Sequence, residues 1–196
     1  MEKKIGKYTV SVVRDENPIS PREDDNLGKM VCFHRSYNLG DKHDYNPDNY
    51  DGWNEMKKDI IKQENVEVIL PLYLYDHSGI TMNTTGFSCP WDSGQVGFIF
   101  ISKEKVRKEY GVKRISPKLH KRITEYLINE VETYDKYLNG EIYGFKVIDE
   151  YDNVIESCWG FYDEDECLEE GLSMVPKEPE SEEYYTGLLY GVDNNQ

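Results

Sequence analysis

SPKLHKRITEYLINEVETYDKYLNG, residues 116–140, is the stretch that decides the fold class. Ser116 is a helix-capping residue, because its hydroxyl can accept from an amide that the first turn leaves unpaired. Pro117 then occupies the first helical position, where its fixed φ suits the helix and no N–H is needed. Gly140 supplies the stop. Between these marks Leu119, Ile123, Leu127, Val131, Tyr134 and Leu138 recur every three or four residues, which draws an apolar stripe down one side. A helix of this kind needs an apolar surface to lie on.

The rest of the chain offers that surface as strands. Tyr8–Arg14 alternates in part, and residues 29–34 form a short apolar run. VEVILPLYLY, residues 66–75, is the strongest strand, although Pro71 argues for an edge position or a bulge. Residues 95–101 read as a buried strand. Residues 141–148 and 154–161 flank Asp152-Asn153 and read as a β-hairpin. Two further helices are expected, over residues 53–63 and between Ser102 and Gly111. Together these predict an α+β fold: an antiparallel or mixed β-sheet with one long amphipathic helix packed on it, forming one domain over residues 1–162. Residues 163–196 read as an acidic C-terminal extension. It begins with a helix over about 163–172, and beyond Met174 its Pro, Glu, Ser and Asn content suits disorder.

Composition narrows the class. The 196 residues fit one domain, but hydrophobic residues make up only 38% against 31% charged, so the core is modest. Sixteen tyrosines offset part of that, and tyrosine is also enriched in binding surfaces. Residues 1–7 are charged and no apolar run follows, so no signal peptide is expected. No stretch has the apolar length of a membrane span. Cys32, Cys89, Cys158 and Cys167 are scattered without a CxxC pair, as expected of reduced thiols in a cytoplasm.

The charge is polarised. Residues 149–196 hold fifteen acids against Lys177 alone, a balance of −14, whereas residues 1–148 hold 23 acids against 22 bases, a balance of −1. Within that near-neutral body, nine bases and two acids lie between Lys103 and Arg122. The basic stretch can be a solvated helical face, and the tail a solubilising extension. Alternatively one pole engages a partner. An acidic surface can fill a basic nucleic-acid channel, with Asp163, Glu164, Asp165, Glu166, Glu169 and Glu170 as its contacts. The basic pole can instead bind nucleic acid.

Two constellations carry possible chemistry. DHSG (76–79) and CPWDSGQ (89–95) bound a loop in which Cys89 as nucleophile, His77 as base and Asp92 as its orienter would suit a hydrolase, with amides around Gly94 as oxyanion donors. The structural alternative is a turn-rich loop in which Trp91 packs and Asp and Ser bond local amides. Cys32 and His34 share one face of a strand and, with Asp41 and His43, form a candidate zinc set, although the paired spacings of structural zinc are missing. Otherwise Cys32 is a core thiol. No phosphate loop or dinucleotide fingerprint is present, and no cofactor is expected.

The blocks CFHRSYNLGDKH (32–43), LYDHSGITM (74–82), CPWDSGQVGFIF (89–100), EVETYDKYLNGEIYGFKV (130–147) and ESCWGFY (156–162) resemble a family of uncharacterised proteins carried by bacteriophages and other mobile elements. The resemblance implies a mobile-element origin. Because small acidic phage proteins often inhibit host defence, it further implies an anti-CRISPR or anti-restriction protein that binds a host defence protein or nucleoprotein complex.

Overall fold

In the computed structural model of the chain, which describes residues 1–177, the elements run β1 (Glu2–Ile5), β2 (Tyr8–Arg14), β3 (Lys29–Cys32), α1 (Trp53–Gln63), β4 (Val66–Asp76), β5 (Ile80–Asn83), β6 (Ser93–Ser102), α2 (Lys103–Tyr110), α3 (Pro117–Leu138), β7 (Tyr143–Ile148), β8 (Val154–Phe161) and α4 (Glu164–Ser173). The disordered tail expected beyond Met174 lies, from residue 178 onward, outside the described residues.

The expected capping signals operate. Ser116 Oγ accepts from the Leu119 amide at 3.2 Å, and Gly140 follows the last turn of α3 at φ +68°. The stripe on α3 buries Ile123, Leu127, Val131 and Tyr134 against Leu72, Leu74, Met82 and Ile99. These belong to an antiparallel sheet of order β3-β6-β4-β5. Val106 of α2 joins the same core. On the opposite face, Met56 and Ile60 of α1 pack against Val31, Val66, Phe98 and Phe100. With helices on both sides, β6 is buried without a break from Val96 to Ile101, which is why its sequence shows no alternation. Pro71 is tolerated because β5 pairs only with residues 73–76, leaving β4 locally an edge strand at residue 71.

One sheet was expected and there are two. β7 and β8 form the predicted hairpin, but β7 pairs with β2 rather than with β4 or β6, giving a second antiparallel sheet of order β1-β2-β7-β8. The α+β class stands and the four expected helices form, but among the described residues they pack on two sheets rather than one. β1 went unforeseen, and residues 76–94, a Gly/Ser/Thr-rich loop or ragged hairpin by sequence, contain β5, which pairs back on β4. β1 is exposed along its length, so nothing selects an apolar pattern there.

The helix placed at the start of the acidic extension exists, but it belongs to the second sheet. Cys167 is fully buried against Val10, Val12, Phe145 and Val147, and Leu168 and Leu172 pack beside it. Gly171 lets α4 lie close, because a Cβ there would press on Val10 and Phe145. Residue 162 is therefore not the end of the packed body. No helix among the described residues is long and apolar enough to cross a membrane.

Candidate functional site

Cys89, Asp92 and His77 are brought together, but in an order that does not suit thiol catalysis. Asp92 Oδ2 stands 3.6 Å from Cys89 Sγ and 3.4 Å from His77 Nδ1, so the carboxylate lies between thiol and imidazole. A nucleophilic thiol needs its base within reach of its own proton. Here that neighbour is an acid anion, and the imidazole is largely in solvent. Gly94, expected near the oxyanion, is paired with Leu74 in the β6–β4 ladder. The loop is closed by local bonds: the Asp76 amide donates to the Asp92 carbonyl at 2.8 Å, and the Ser93 hydroxyl donates to the Cys89 carbonyl. Trp91 does not pack; it is 91% exposed.

The proposed zinc ligands are not assembled around a common point, although His43 Nδ1 is buried without a hydrogen-bond partner among the described residues. Cys32 is buried beneath residues 40–43, and burial, then the Asp41 charge, pushes its thiol up to about 12. His34 Nδ1 accepts from the amides of Ser36 and Tyr37 at 3.2 and 3.3 Å. His43 Nε2 lies 3.0 Å from the Cys32 carbonyl oxygen, so it carries the proton and donates. Asp41 receives the Met30 amide and the guanidinium of Arg22. No group of three or more metal-ligating side chains is assembled among the described residues.

Arg22 is the centre that local sequence patterns did not show. Its side chain is 5% exposed, with Nε and Nη2 on the two Asp41 oxygens at 2.8 and 2.7 Å and Nη1 on Glu130 Oε2 at 3.1 Å. Nη2 also donates to the Gly28 carbonyl. Glu130, itself only 8% exposed, accepts from the amides of Leu27 and Gly28. Burial alone would weaken the Arg22 charge, but the hydrogen bonds and charges of the two carboxylates outweigh it and raise its pKa. The network ties the loop before β3, the loop after it and α3 into one unit. The partners lie 19 and 108 residues from Arg22, too far for any spacing motif.

Among the described residues no ion pair joins the two charged poles. On α4, Asp163 is the N-cap, accepting from the amides of Asp165 and Glu166 at 2.9 and 3.0 Å, and Glu164 lies 3.5 Å from the amino group of Met1. Asp165, Glu166, Glu169 and Glu170 are exposed, and none of the ion pairs among the described residues includes them. Of the six acids expected to meet a partner, four are thus free to do so, while Asp163 and Glu164 have internal tasks. The bases between Lys103 and Arg122 lie on α2, the link to α3 and its first turns. They are exposed apart from half-buried Lys103. Lys121 pairs with Glu125, and no acid stands in the first turn of α3.

Among the described residues, no helix packs on the face of the second sheet away from α4. Trp159 lies across Gly144, where a Cβ would strike the indole, and Lys146 Nζ sits 5.7 Å from the ring centroid. No model of a known protein family matches this sequence, nor does any curated protein or solved structure.

Proposed function

We propose that this chain is a phage or mobile-element protein that inhibits a host nucleic-acid-targeting defence complex by binding it stoichiometrically in the cytoplasm. The observation that carries this reading is the acidic face of α4. Asp165, Glu166, Glu169 and Glu170 project into solvent and are not neutralised by the chain's own basic stretch among the described residues. Their helix is anchored by buried Cys167, so the charges are held in a fixed array. A fixed row of carboxylates offers Lys and Arg side chains what a phosphate backbone offers them. The Cys89–Asp92–His77 order supports binding over hydrolysis. The sequence blocks that resemble phage proteins supply the defence context.

The test is inhibition of a panel of purified restriction and CRISPR-type nucleases by the full chain. One nuclease should be blocked at equimolar inhibitor, with the block weakening as salt rises. The variant D165N/E166Q/E169Q/E170Q should lose at least about tenfold in potency, since each desolvated charge contact contributes on the order of 1 kcal/mol or more. Failure to inhibit any nuclease, or equal potency of the variant, sinks the reading.

A second reading has its own observation: the exposed bases around the start of α3 face solvent with one ion pair among them. They would suit a phosphate backbone in an accessory nucleic-acid-binding protein. A gel-shift at low salt that gives no complex removes it.

A further inference from the structure

Sheet edges separate the two halves of the molecule more sharply than any cavity does. An uncovered edge strand displays a row of unpaired amides and carbonyls, and proteins protect such rows. Three of the four edges here are protected. The outer edge of β3 is closed by residues 40–43: the Met30 amide donates to Asp41 Oδ2 at 2.7 Å, and the Asp41 amide donates to the Met30 carbonyl at 2.8 Å. The outer edge of β5 is closed by α3, whose Asp135 accepts from the Met82 amide at 2.7 Å. β1 is short and carries three charges in four residues. Among the described residues β8 is covered at its outer edge by neither a loop nor a helix, although bulges at Ile155 and Gly160 interrupt its pairing with β7. It is the longest of the four edge strands at eight residues, with one charge, Glu156, and no proline, and it exposes Val154, Ile155 and Trp159. Among the described residues no backbone group outside its own sheet bonds to it.

We infer that the outer edge of β8 is a docking site for an extended, basic segment of the partner, which adds as a fifth strand to the second sheet. Main-chain hydrogen bonds would supply the attachment, as in strand addition generally. Charge selects the occupant. The turn before β8 carries Asp149, Glu150 and Asp152, and the helix start after it carries Asp165 and Glu166. A second copy of this chain would bring the same acids against them, and the segment 178–183 of the chain itself, EPESEE, would do likewise. Like charges opposed across a strand pair are destabilising. A strand bearing Lys and Arg meets opposite charge at both ends. This inference rests on the reading that the partner is basic, and it adds where on the chain that partner is gripped.

The test is hydrogen–deuterium exchange on the full-length chain with the capped octapeptide (Lys-Val)4. In the free chain the outward amides of β8 should exchange fast. At ten times the dissociation constant, residues 154–161 should slow about tenfold, while residues 2–5 on the opposite edge do not change. Methylating the amides along one edge of the peptide should abolish this, and (Glu-Val)4 should not bind. No protection by (Lys-Val)4 overturns the inference, as does equal binding by the methylated peptide, which would show charge attraction alone. Slow exchange of β8 in the free chain also overturns it. If residues 184–192 slow with it at every protein concentration, the occupant is the chain's own end; if protection grows with concentration, it is a second copy. Peptide protection of β8 together with undiminished nuclease inhibition by the α4 variant would keep the edge site and discard the acidic-helix reading. The reverse pair of results would do the opposite.

Discussion

The two sheets are built from strands of similar number and direction, yet they are finished differently. The β3-β6-β4-β5 sheet has helices on both faces, its outer strands are closed by Asp41 and Asp135, and the buried Arg22 network locks two loops to its long helix. Among the described residues the β1-β2-β7-β8 sheet has one helix on one face, none on the other, and an edge strand exposed nearly throughout. The first is made to stay folded. The second spends its apolar side on α4 and leaves the rest facing solvent, where a partner can reach it. The inference for function follows from that asymmetry: stability should be sensitive to changes in the wrapped sheet, and binding to changes in the open one.

The largest expected effect is at Arg22. Arg22→Met leaves buried Glu130 and partly buried Asp41 without their cation, which costs about 3 kcal/mol. Urea denaturation should show it as a fall in midpoint without a change in slope. A loss below about 1 kcal/mol would mean that water relaxes into the network, and the contrast between the sheets would weaken. Next come two leucines chosen to compare the halves. Leu127 of α3 is fully buried against the sheet, so Leu127→Ala should cost about 3 kcal/mol and speed exchange throughout the molecule. Leu172 on α4 is half-buried, so Leu172→Ala should cost about 1 kcal/mol, with faster exchange confined to α4, β2 and β7. If both variants loosen the whole chain equally, the sheets unfold as one unit and the division is wrong.

Local chemistry was legible in the sequence, and long-range pairing was not. Ser102, Ser116, Gly111 and Gly140 mark helix ends through their own hydroxyls or their own freedom at positive φ, so α2 and α3 could be bounded by inspection. The unbroken apolar run of β6 and the turn between β7 and β8 were equally local. What joins Val10 to Val147 is a register between strands 137 residues apart, and nothing near either strand announces it. The same holds for Arg22 with Glu130. At the candidate site, composition named Cys89, Asp92 and His77 but could not give their order in space, and that order decides against a thiol–imidazole pair. The six acids at and after Asp163 were visible as charge, but only the packing of α4 through Cys167 reveals that Asp165, Glu166, Glu169 and Glu170 are the four carried outward.

A pH titration sharpens the comparison further. Burial pushes the Cys32 thiol up to about 12, and burial also raises Tyr134 beside it. Both lie in the wrapped sheet's core. A group whose pKa is raised on folding adds stability in its protonated state, fully present below its unfolded value and lost as pH rises toward its folded one. Stability should therefore fall from about pH 9 upward, with Cys32 contributing on the order of 2 kcal/mol by pH 11. In Cys32→Ala the alkaline limb should be shallower, though not flat, because Tyr134 still titrates. An unchanged limb would mean that the thiol opens to solvent before it ionises.

The smallest expected effect separates two roles that one residue combines. Asp163 is both an acid in the proposed contact region and the N-cap of α4. Asp163→Ala removes both and should cost about 1 kcal/mol, read as faster exchange in the first turn of the helix. Asp163→Asn keeps a capping oxygen and discards the charge, so it should hold the helix nearly as well as the wild type. Because both of the Asp163 bonds run to the helix's own amides, binding to a basic partner should follow the helix rather than this charge. Asp163→Asn should inhibit as the wild type does, whereas Asp163→Ala should be modestly weaker. If Asp163→Asn loses potency as far as D165N/E166Q/E169Q/E170Q does, the partner reads the helix start itself, and the contact extends from α4 onto the end of β8.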